Sequence, residues 1–89
     1  MTQTATIQVT FRDGRALAAY LRLGTARTKT RETKKITASL LLDLDAHGNA
    51  VGLEILSFDA RTLGRINKVL VALGHAALPE QELAPLRAA

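Results

Sequence analysis

The 89-residue chain contains no cysteine and no tryptophan, and its aromatic side chains are Phe11, Tyr20 and Phe58. Without thiols there is no disulfide framework, no thiolate metal site and no cysteine nucleophile, a usage that fits a reducing cytosol. With so few rings the core has to be aliphatic, and the 47% hydrophobic content supplies it. No apolar run approaches the ~20 residues of a membrane span. The opening MTQTATIQVT has neither the basic start nor the long apolar segment of a secretory signal. A soluble, cytoplasmic protein with no membrane partner is the expectation. G-x-S-x-G, P-loop and dinucleotide fingerprints are all missing, so neither an enzyme nor a cofactor is expected.

What the sequence does have is alternation. From Ile36 to Leu44 the apolar residues Ile36, Ala38, Leu40, Leu42 and Leu44 recur at every second position. After the polar DAHGN, Val51, Leu53 and Ile55 do the same. Pairing Leu44 with Val51, Leu42 with Leu53 and Leu40 with Ile55 puts all six on one dry face of a hairpin. Upstream, Ile7, Val9 and Phe11 alternate with threonine and glutamine, a half-buried strand. Asp13-Gly14 looks like a two-residue turn, yet that length would turn Leu17 and Leu21 away from Ile7 and Val9. A three- or five-residue connection, pairing Phe11 with Leu17 and Val9 with Ala19, keeps them together.

Residues 25–35, TARTKTRETKK, read as a third strand almost without an apolar face, with Arg27, Lys29 and Arg31 on one side. Such a strand belongs at an edge, where charge blocks sheet-to-sheet pairing. At Asp59, a plausible N-cap, the period changes to that of a helix: Leu63, Ile66, Leu70 and Leu73, with Gly74 as its stop. The tail 75–89 offers Leu83 and Leu86 as anchors and is expected to be loosely held. The whole is predicted as a single α+β domain over residues 1–89. Its sheet, about 5–56, is a small antiparallel meander of four to five strands packed by one C-terminal helix, about 59–73.

The run Asp43-x-Asp45-x-x-Gly48-x-x-Val51-Gly52-Leu53-Glu54-Ile55-Leu56, preceded by Ala19-Tyr20-Leu21-Arg22-Leu23, resembles the bacterial domain-of-unknown-function 2283 family. Its members read like "DALYIRL" followed by "VDLDEDGNVVGIEIL". The likeness spans roughly residues 16 to 60, and the basic 25–35 run stands where the family has a more acidic strand. The resemblance implies a small sheet packed by a helix and no established activity. By analogy with relatives beside toxin-like partners, it implies an antitoxin-like or accessory role.

Three side-chain groups could carry chemistry. Asp43, Asp45, His47, Gly48 and Glu54 match positions of a calcium-loop template, but an EF-hand needs flanking helices and these flanks alternate like strands. A metal-binding domain is therefore a distant alternative. Asp43, Asp45 and Glu54 are instead expected as the wet, acidic face of the hairpin, within reach of cations on the neighbouring strand. Arg27, Lys29, Arg31, Lys34 and Lys35 form the candidate partner surface. No stacking aromatic accompanies them and Glu32 interrupts them, so nucleic-acid binding ranks as the alternative. The favoured reading is a non-catalytic interaction module, a homodimer or the partner of a small toxin-like protein. Val71, Leu41 and Leu56 are outward apolar groups that could meet such a partner.

Overall fold

A computed structural model describes residues 6–23 and 29–87. Both central residues of the first turn, Asp13 (φ 53°) and Gly14 (φ 77°), take the left-handed region. This is the geometry by which a two-residue turn matches the twist of its flanking strands. The turn joins β1 (Thr6–Arg12) to β2 (Arg15–Arg22), with Arg12 opposite Arg15 and Phe11 opposite Ala16. A register shift after Thr10 then inserts Leu17 as an extra residue and restores Val9 to Ala19 and Ile7 to Leu21. The longer connection expected from the apolar pattern is thus replaced by a tight turn and a β-bulge. The bulge corrects the register one residue further along. Leu17 is left 49% exposed and Phe11 63% exposed.

The Ile36–Leu44 stretch does not run as one strand. Ser39 donates its backbone N–H to Thr37 Oγ1 at 3.1 Å, and the chain folds back through Ala38-Ser39. Two strands result, β3 (Glu32–Thr37) and β4 (Leu40–Leu44), and β4 then pairs with β5 (Ala50–Ile55). Leu40 faces Ile55 and Leu42 faces Leu53 as the alternation requires, whereas Leu44 pairs with Ala50 because the register shifts beside Val51. The five strands lie antiparallel in the order β1-β2-β5-β4-β3. A hairpin is thereby joined, through β2 and β5, to a three-stranded meander.

Asp59 opens helix α1 (Ala60–Ala72), its Oδ1 accepting the Thr62 N–H at 2.7 Å. The helix ends through Gly74 at φ 83°, with His75 N–H donating to Leu70 O and Gly74 N–H to Val71 O. These are the two bonds that satisfy the last carbonyls of a helix with a left-handed stop. Leu63, Ile66 and Leu70 pack on Leu21, Leu40, Leu53 and Ile55, all nearly inaccessible to solvent. The tail is better held than its sequence suggests. Asn67 clamps the connection, accepting from Leu78 N–H at 2.7 Å and donating to Leu78 O at 3.1 Å. Helix α2 (Glu80–Arg87) then seats Leu83 and Leu86 in the same core. Both helices lie on one face of the sheet. No described helix is long and apolar enough to cross a membrane.

Candidate functional site

The face of the sheet turned away from the helices is organised by its tyrosine. Tyr20 in β2 pairs with Glu54 in β5, and its neighbour Arg22 pairs with Gly52. The Tyr20 ring lies across Gly52, where a Cβ would collide with the hydroxyl and the ring edge. Glycine is required there by close approach. Lying flat, Tyr20 reaches past β5 and donates its hydroxyl to Asp43 Oδ2 at 3.0 Å. Thr33, opposite Asp43 in β3, donates to Oδ1 at 2.7 Å. One carboxylate therefore ties together β2, β4 and β3, and it is only 5% exposed. Burial, followed by the neighbouring Asp43, raises the Glu54 pKa above the ordinary glutamate value. Burial and the Asp43 carboxylate likewise raise the Tyr20 phenol.

Asp43 was expected on a wet face beside basic side chains; the structure buries it beneath hydroxyls instead. The reason lies in the side chains that the neighbouring strands bring to it. The Tyr20 ring lies over Gly52 so that its hydroxyl reaches the carboxylate, and β3 presents a threonine, rather than an arginine or lysine, at the opposing position. Asp45 serves the β4–β5 turn. Its Oδ1 accepts from His47 N–H at 2.8 Å and Asn49 N–H at 2.9 Å, and these bonds lower its pKa. Gly48 (φ 81°) completes the reversal. Asp43 and Asp45 thus serve different strands, and among the described residues no three metal-ligating side chains converge. A shallow hollow of about 170 Å³ lies beside Tyr20 and Glu54, lined also by Gln8, Thr10 and Leu56. That is below the ~300 Å³ typical of small-ligand sites.

The basic residues fall differently from their expected row. β3 begins at Glu32, so Lys29 and Arg31 precede it, and Arg27 lies outside the described residues. Lys34 pairs with Leu42 and Lys35 with Leu41, which sends these two cations to opposite faces of the edge strand. All four described cations are exposed. The expectation that the charged strand sits at the sheet edge holds, because β3 pairs with β4 alone among the described strands.

A second basic group escaped the sequence reading. Arg61, Arg65 and Lys68 stand exposed along α1 at spacings of four and three. They line a hollow of about 410 Å³ with Ala60 and Gly64. Arg61 and Arg65 also line a neighbouring hollow of about 290 Å³ against Thr37, Ala38 and Ser39 of the β3–β4 turn. Helix stripe and turn therefore form one cationic corner. The signal is present in the sequence, as i, i+4, i+7 places three cations on one face, on the side of the helix away from its apolar stripe. No known family profile, curated protein or solved structure matches the chain.

Proposed function

We propose that this chain is a non-catalytic interaction module that binds along its β1 edge, first of all to a second copy of itself. The contrast between the two sheet edges carries this reading. β3 bears Glu32, Lys34 and Lys35, the charges with which edge strands resist pairing. β1 is uncharged from Thr6 to Phe11, and among the described strands β2 is its sole neighbour. In an antiparallel ladder every second residue of such a strand turns its N–H and C=O toward the open side. Ile7 and Val9 are half-buried at the rim of the core, and Phe11, on the same side by alternation, is 63% exposed.

An antiparallel pairing of two β1 strands centred on Val9 sets Val9 against Val9 and Ile7 of one copy against Phe11 of the other. The apolar groups left at the rim then cover one another, and the two-fold axis closes the assembly as a dimer. An accessory or antitoxin-like role, the one suggested by the resemblance, would use the same edge to accept a strand from a small partner protein. Sedimentation velocity over a wide concentration range tests the dimer. The expected result is a monomer–dimer equilibrium shifted to monomer in Gln8→Lys/Thr10→Lys, which brings lysines opposite one another across the axis. A wild-type protein that stays monomeric at high concentration would rule out self-pairing through β1.

A further inference from the structure

We propose that the corner formed by α1 and the β3–β4 turn binds the phosphate backbone of double-stranded nucleic acid without reading its sequence. Arg61, Arg65 and Lys68 are all exposed, and α1 contains no acidic residue. A rise of 1.5 Å per residue places Arg65 and Lys68 about 6 and 10 Å along the axis from Arg61. Their long side chains flank an open floor, since a Cβ added at Gly64 would touch nothing within 4 Å. Arg61 and Arg65 border both hollows of the corner, so an anion between them is reached from the helix and from the turn carrying Thr37 and Ser39. Asp59, the acidic residue of this corner, has its carboxylate bonded to the Thr62 N–H. Lys34 extends the positive rim along β3 on the helix side of the sheet.

The occupant follows from what accompanies the charge. Tyr20 lies over Gly52 on the opposite face, Phe11 stands at the far hairpin, and Phe58 packs against the core. No described aromatic is offered at the corner for base stacking, which is the usual grip on a single strand. A regular array of phosphates fits a helical row of cations, and contacts of this kind position a protein on a duplex without specifying bases.

The test is a fluorescence-anisotropy titration of a 20-base-pair DNA, its single strand, and vesicles containing phosphatidylserine, at several salt concentrations. Wild-type protein should bind the duplex more tightly than the single strand or the vesicles. Its affinity should fall with salt by a log–log slope of about 0.9 for each phosphate neutralised. Gly64→Glu places a carboxylate amid the stripe without a steric clash and should weaken duplex binding at least tenfold, whereas Gly64→Ala should leave it unchanged. Thermal unfolding establishes that each variant is folded. If Gly64→Glu does not fold, Arg61→Gln/Arg65→Gln/Lys68→Gln carries the same expectation. Unaltered duplex affinity in either charge variant would overturn the proposal, as would preference for the single strand or for vesicles.

Discussion

The open face of the sheet and the α1 corner treat charge in opposite ways. On the open face Asp43 accepts from two hydroxyls and Glu54 leans on Asp43. Elsewhere Asp45 closes a turn, Asp59 caps α1 and Glu80 pairs with Arg87 at 2.8 Å. The acids of this chain are largely engaged in holding the fold. At the corner, Arg61, Arg65 and Lys68 make no side-chain hydrogen bond or ion pair among the described residues. The net charge of +4 is unevenly placed: the three cations of the corner face one acidic residue there, Asp59, whose pKa is lowered by the Thr62 N–H and by Arg61. Positive charge in excess of its internal partners is left for a partner.

Two glycines make the comparison measurable. Gly52 lies under the Tyr20 ring, whereas Gly64 faces open space in the middle of α1. Gly52→Ala should destabilise by about 2 kcal/mol, since the added methyl displaces the ring and with it the bond to Asp43. Gly64→Ala should stabilise by about 0.5–1 kcal/mol through helix propensity alone. Chemical denaturation reads both. Equal signs would mean that Tyr20 swings aside freely, and the open face would then be no more constrained than the corner.

A removal of charge should separate the regions again, with a smaller contrast. Asp43→Ala leaves the Tyr20 and Thr33 hydroxyls without their acceptor and should cost about 1–3 kcal/mol. Arg65→Gln, exposed and unpaired at the corner, should stay within about 0.5 kcal/mol of wild type. A large loss on Arg65→Gln would show that the corner serves the fold rather than a partner.

Much of this architecture was legible because apolar periodicity and caps are local signals. Leu40, Leu42, Leu53 and Ile55 announced their pairing, and Asp59 and Gly74 marked the ends of α1. The tight Asp13-Gly14 turn and the apolar pattern gave conflicting registers because a bulge at Leu17 keeps the turn and restores the pairing of Val9 and Ile7, at the cost of the Phe11–Leu17 pair, and a bulge has no periodic signature. The break at Ala38-Ser39 was hidden by an alternation that continues across it. Asp43 was misplaced for a different reason. Thr33 comes from the adjoining β3, but Tyr20 reaches Asp43 only because β2 lies beside β5, a long-range choice that no local pattern announces. The lone tyrosine and a glycine in a paired strand were the available clue. Asn67, which fastens the tail through Leu78, gave no signal of its role.

The smallest effect concerns the carboxyl of Glu54. Burial and the neighbouring carboxylate raise the Glu54 pKa in the folded state, so the native protein holds the carboxyl proton more tightly than the unfolded chain does. By linkage, the stabilisation from Glu54 is complete below the ordinary glutamate value and is lost as pH rises through the raised one. Asp45 and Asp59 work in the other direction, because backbone hydrogen bonds lower their pKa and their contribution is lost on acidification. Glu54→Gln keeps a neutral donor beside Asp43 at every pH. It should therefore exceed wild type in stability at pH 7, by about 0.5 kcal/mol for relief of a like-charge pair across a sheet. That advantage should shrink toward pH 4 as wild-type Glu54 regains its proton. Thermal unfolding of both proteins from pH 4 to pH 8 supplies the comparison. A gap that stays constant over this range would show that Glu54 is no harder to ionise in the fold than in the unfolded chain, and that the open face holds its acids no more closely than the corner holds its cations.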